Sequence, residues 1–288
     1  MAKHITFQSL TSESSLLTCL SLAVLYVGSL YIWTSKLPRD HPRTIKERFR
    51  RVVFTCIVSV VLLYFVSEGS TQDFQNSATL LQWLGIRTDG ILAASIFPLT
   101  LFLILFLGPL YLMLLSDFSE LHPNNWKKYF YDLRCWRNYV VAPFSEELVF
   151  RGCMLPLLLP VFGPSISIIL APSFFGVAHI HHAWEKYYKE QYPFSTVVIS
   201  TVFQAFYTSL FGALSSWLFL RTGHLLSAVI CHAFCNMMGF PDFSAAFHHE
   251  EKVKICAAFV CGLLLFFIFA NSLTDPTIYN NHLYYITT

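Results

Sequence analysis

The chain has 288 residues, 55% of them hydrophobic and only 12% charged, with 28 Phe and a mean hydropathy of +0.54. A soluble domain carries about 25% charged residues, so a water-soluble globular class is excluded. The formal net charge of +2 is close to neutral, and no nucleic-acid partner is expected.

Apolar runs that suit bilayer crossing recur along the chain: Leu16–Trp33, Val52–Val66, Ile91–Leu115, Tyr139–Phe162, Ser165–Ile180, Thr196–Leu220, Leu225–Phe240 and Val253–Ala270. The predicted fold is all-α: a polytopic integral membrane protein, a bundle of about eight transmembrane helices forming one domain over residues 1–288. The first run is longer than a signal-peptide core and lacks a small-x-small cleavage site, so it reads as a retained anchor. The eight Cys show no CxxC pair, which indicates neither a disulfide framework nor a zinc ribbon.

The cations are unevenly distributed. The stretch 34–51, read as a loop, holds Lys36, Arg39, Arg43, Lys46, Arg48, Arg50 and Arg51; loop 116–138 holds Lys127, Lys128, Arg134 and Arg137; loop 67–89 has only Arg87. The positive-inside rule puts the first two in the cytosol and the third in a lumen. The 34–51 cluster also suits an anionic lipid or substrate, although topology alone accounts for it.

Ser145-Glu-Glu-Leu-Val-Phe-Arg151 lies within apolar sequence. Each such charge costs about 2.5–3.5 kcal/mol at the middle of a bare transmembrane helix, so the stretch marks a functional site. Pro143 suits a first helical turn, which puts Glu146 and Glu147 just inside the cytosolic boundary. Glu147 and Arg151 can pair at i, i+4, whereas Glu146 points about a quarter-turn away, outside that pairing. Further along, Pro172 is expected to kink the fifth helix, which ends at His179. His232 and Asn236, again i, i+4, approach the same face on the seventh helix and direct donors at one point. Structural readings stand beside these. The Glu147–Arg151 pair suits holding a helix, and His232 and Asn236 suit interhelical hydrogen bonds. One or two residues of His179-Ile-His-His182 suit the membrane interface, and so do His224 and Arg221.

A carboxylate, two imidazoles and an amide suit hydrolysis of an amide or ester. The carboxylate takes a proton from water, and the other groups stabilise an oxyanion. Zinc held by His179, His232 and a Glu is the rival mechanism, but no HExxH occurs; the preferred reading has no metal and no cofactor. A scaffold that binds lipidated tails without cutting them is the non-enzymatic alternative. A transporter is a third, and it would be expected to show internal repeats.

Glu146-Glu147-x-x-x-Arg151, Phe175-x-x-x-His179 and His232-x-x-x-Asn236, in this order, closely resemble the type II CAAX prenyl endopeptidases. The likeness covers roughly residues 45–275. It implies an endoplasmic reticulum, multi-pass protease with its active site facing the cytosol. Such an enzyme removes the last three residues of farnesylated or geranylgeranylated CaaX proteins, typically Ras-type small GTPases, before a prenylcysteine carboxyl methyltransferase acts. The resemblance further implies that Glu146 and His179 activate water and that His232 and Asn236 hold the oxyanion, with Glu147 and Arg151 also needed. A cavity open sideways to membrane lipid is expected to take the prenyl chain.

Overall fold

The computed structural model describes residues 3–32, 37–69, 77–116, 129–178, 181–189 and 191–284. Helix α1 (Ser12–Tyr31) starts where the Thr11 hydroxyl accepts the Ser14 N–H and the Ser14 hydroxyl accepts the Thr11 N–H. This reciprocal cap satisfies two of the donors that a helix start leaves open. Helix α2 (Pro42–Val66) begins ten residues before its apolar run. The basic stretch read as a loop is thus largely its first turns. Pro42 occupies the first turn, and His41 Nδ1 accepts the Arg43 N–H. Glu47 pairs with Arg43 at 3.1 Å and Arg51 at 3.6 Å, four residues to either side.

A small antiparallel sheet was not foreseen. Strand β1 (His4–Thr6) lies between β2 (Glu68–Gly69) and β3 (Ala78–Thr79). Trp83 Nε1 donates to the Ile5 carbonyl at 3.0 Å, tying this cap to the helices. The predicted third span is two helices, α3 (Ile91–Leu105) and α4 (Leu107–Leu115), bent by 69°.

The longest helical stretch, α5 (Leu133–Val177), contains the predicted fourth and fifth helices on either side of a break. The break is at Gly163 (φ 70°, ψ 172°), between the two predicted runs. The residue before a proline avoids the α region, and Gly163 precedes Pro164 and tolerates positive φ; Pro172 keeps helical backbone. Pro143 does not open a helix either. It follows a π-helical segment, Arg137–Val141, located where its ring would meet the carbonyl four residues back. A second π segment, Leu148–Cys153, carries Arg151. Helices α6 (Phe194–Thr222), α7 (Leu225–Met238) and α8 (Lys252–Leu273) complete the bundle, with Gly223 (φ 64°) ending α6.

The protein is an all-α polytopic membrane protein. By length and composition, five described helices can cross a membrane, or six if the bent α3–α4 pair is one span. The predicted count of eight is not confirmed, although α5 holds the predicted fourth and fifth runs on either side of Gly163. Helix α7, with 14 residues, is only about 21 Å long against a hydrocarbon core of about 30 Å. Every residue from Glu147 to Leu159 is buried, so this part of α5 is enclosed on all sides. Phe65, Leu92 and Phe267 point outward, as lipid-facing residues do.

Between α6 and α7, buried His224 uses Nε2 to donate to the Asp89 carbonyl at 2.7 Å. Burial, with Arg87 nearby, lowers its pKa from 6.5 to about 4. As pH falls, the unfolded chain takes up this proton first, so stability is lost between about 6.5 and 4, amounting to about 2 kcal/mol by pH 5. In detergent, the unfolding midpoint should drop less between pH 7.5 and 5 for His224→Gln than for wild type. Equal drops would remove His224 as the titrating group.

Candidate active site

Glu147 is fully buried and is met from three directions, by two hydrogen bonds and one ion pair. His232 Nδ1 lies 2.6 Å from its Oε1, the Ser215 hydroxyl donates to Oε2 at 2.7 Å, and Arg151 Nη1 is 3.2 Å from Oε1. A carboxylate can only accept, so Nδ1 is the protonated nitrogen of the His232 ring. The opposite nitrogen, Nε2, then faces Glu146 Oε2 across 3.6 Å. Helices α5, α6 and α7 therefore meet through one carboxylate. The Glu147–Arg151 pairing expected from spacing is present as an ion pair. None of the guanidinium nitrogens has a hydrogen-bond partner among the described residues.

Aromatic faces supply the rest of the Arg151 environment. Its Cζ lies 4.7 Å from the Phe175 ring centroid and 5.9 Å from that of Phe211, distances at which ring and cation attract. The same two rings flank His232, at 6.3 and 4.8 Å. Gly212 lets α6 approach this closely: a Cβ there would be 2.9 Å from both Arg151 Nη2 and Pro172 Cβ.

Glu146 differs from its neighbour. Its side chain is 19% exposed and borders two cavities. The larger, of 880 Å³, is lined mainly by apolar side chains of α3, α5, α6, α7 and α8, and Glu146, His232 and Asn236 share its wall. The smaller, of 130 Å³, has Glu146 in its wall together with Arg39, Arg48 and Arg137. Asn236 does not direct its donor at one point with His232, as spacing suggested: its Nδ2 donates to the Asn138 carbonyl at 2.9 Å, while His232 Nδ1 is drawn to Glu147. An amide nitrogen carries two hydrogens, so one remains. His179 lies outside the described residues.

Ser215, Phe211, Gly212 and Asn138 escaped the sequence reading. Small polar residues such as Ser215-Ser216 do mark close interhelical faces in membranes, and that was the available signal. Phe211 offered none within a Phe-rich span.

A family model described as "Type II CAAX prenyl endopeptidase Rce1-like" matches residues 131–238, the segment that carries Glu146, Glu147, Arg151, His232 and Asn236. A Homo sapiens protein named CAAX prenyl protease 2 is 43% identical over 277 residues, covering 93% of this chain and 83% of its own.

The chain belongs to the type II CAAX prenyl endopeptidase family.

Relatives of the same name from Arabidopsis thaliana and Saccharomyces cerevisiae are 32% and 31% identical. The first alignment covers 95% of this chain and 94% of the relative, the second 79% and 80%. No solved structure matches the chain significantly. The family membership agrees with the resemblance drawn from the three motifs.

Removing the Ser215 hydroxyl leaves Glu147 Oε2 without its donor in a dry site, at a cost of about 1–3 kcal/mol. Ser215→Ala should lower turnover on a prenylated peptide about tenfold or more, and Ser215→Thr should retain most of it. Wild-type turnover in the Ala variant would remove this hydrogen bond from the working site.

Proposed function

We propose that the protein is an endoprotease that removes the C-terminal tripeptide from farnesylated or geranylgeranylated CaaX proteins. The observation that carries this reading is the apolar cavity, whose wall combines lipid-compatible side chains with Glu146, His232 and Asn236. A volume of 880 Å³ suits a ligand of several hundred Å³, and a prenyl chain gains about 0.8 kcal/mol per buried CH₂. A scaffold would use the apolar wall but has no need of the acidic and imidazole groups.

Glu146 and His179 deprotonate a water that attacks the carbonyl carbon of the prenylcysteine. The resulting oxyanion takes hydrogen bonds from His232 Nε2 and from the second amide hydrogen of Asn236. In this role the imidazole carries two protons, one given to Glu147 and the other to the oxyanion. Collapse of the tetrahedral intermediate breaks the C–N bond, and the proton taken from water passes to the departing amine. The products are a prenylcysteine carboxylate and a tripeptide. Glu147, Ser215 and Arg151 orient His232 without touching substrate. The mechanism uses no metal and no cofactor.

The charge asymmetry supports an active site facing the cytosol, where prenylated Ras-type small GTPases insert into membrane lipid. The family resemblance supports residence in the endoplasmic reticulum membrane. The new carboxylate is the group that a prenylcysteine carboxyl methyltransferase would esterify next.

Membranes containing the wild-type protein should release the tripeptide from a farnesylated CaaX peptide, and Glu146→Ala should slow release by about 10²–10⁴. Robust cleavage by Glu146→Ala would reassign the base. Absence of cleavage by wild type would favour the scaffold. Loss of activity with a chelator, reversed by zinc, would favour a metal mechanism.

A further inference from the structure

The smaller cavity has a composition that the proposed chemistry leaves unexplained. Its cationic wall residues are all arginines: Arg39 from the segment before α2, Arg48 from the first turns of α2, and Arg137 from α5. Glu146 is the one acid in that wall among the described residues. Arg137 is held in place, because Nη1 pairs with Asp40 at 2.8 Å and Nε donates to Asn138 Oδ1 at 2.9 Å. The Asp40 carboxyl is correspondingly held below the usual range by its hydrogen bond to Arg137.

The two cavities share a wall: Arg39, Asn138, Ala142, Glu146 and Phe175 line both. Both walls are mostly apolar, but the smaller cavity has three arginines in its wall where the larger has Arg39, and the candidate base borders both. A ligand spanning both would therefore have a lipid end, a polar middle at Glu146 and an anionic end.

We propose that the arginine-walled cavity is the subsite for the free C-terminal carboxylate of the substrate, with Arg48 and Arg137 as its principal ligands. The inference rests on the protease reading above. A carboxylate suits the planar fork of a guanidinium better than the point charge of a lysine, which fits a wall whose cations among the described residues are arginines. A scissile bond three residues from the chain end puts that carboxylate about 10 Å away along extended backbone. Anchoring both the lipid and the carboxylate sets which peptide bond reaches Glu146.

A phospholipid headgroup carries the same anionic chemistry, so the test has to separate the two. The full-length protein in phosphatidylcholine vesicles would be given a farnesylated CaaX peptide either as the free acid or as the C-terminal carboxamide. Wild type should prefer the acid at least tenfold in kcat/KM, mainly through KM. In Arg48→Gln and Arg137→Gln the acid-to-amide ratio should fall toward one. Equal cleavage of acid and amide by wild type overturns the subsite and leaves the protease reading standing, even if a variant fails to fold. An unchanged ratio in both variants removes these arginines from it. If adding phosphatidylserine changes both substrates alike in wild type but not in the variants, the cavity is a lipid site. Failure of wild type to cleave either peptide would instead sink the protease reading itself.

Discussion

A carboxylate with no exposed surface organises the centre of this molecule. An isolated charge in such a place costs several kcal/mol, and Glu147 is compensated from three helices: by Arg151 one turn along α5, by Ser215 from α6 and by His232 from α7. Each partner is fixed in turn by the others. The His232 ring cannot rotate without leaving Glu147 Oε1 unsatisfied, and it is also confined between Phe175 and Phe211. The orientation of Nε2 toward Glu146 is thus a consequence of the need to satisfy a buried charge. The most enclosed residues of the fold and the most chemically competent ones are neighbours for that reason.

Two adjacent glutamates with different surroundings follow from the same constraint. Successive residues on a helix point about 100° apart, so when Glu147 turns into the junction of three helices, Glu146 turns toward the cavities. One is spent on architecture and the other is accessible to a ligand. The π segments on either side of Ala142–Glu147 fit this division, since such widened turns accumulate at functional sites. They also allow Pro143 to stand inside a continuous helix rather than at its start.

The position of Glu146 on the wall shared by a large cavity and a smaller one with three arginines comes from packing at several levels. Helices α3, α6, α7 and α8 enclose the first with aromatic and aliphatic side chains, while the head of α2 and the segment before it contribute arginines to the second. The extension of α2 into the basic stretch is what carries Arg48 there. Read as a loop, the same residues gave a topology signal and a general affinity for anions; as helix, one of them faces the site.

The sequence by itself determined the membrane class, the helical content and the family, because composition, apolar runs and three ordered motifs are local properties of the chain. It also determined the Glu147–Arg151 pair, which is set by spacing along one helix. It could not determine that His232 would turn Nδ1 to Glu147, that Ser215 would complete that site, or that Asn236 would bond to Asn138, since those partners lie 60 to 100 positions apart and meet only when helices pack. The break at Gly163 was legible in the sequence, where the apolar runs part at the Gly-Pro step. The bend between α3 and α4 and the shortness of α7 were settled by tertiary packing. Apolar composition states that a segment can be buried, and only the neighbours it finds decide how far it runs and which way it turns.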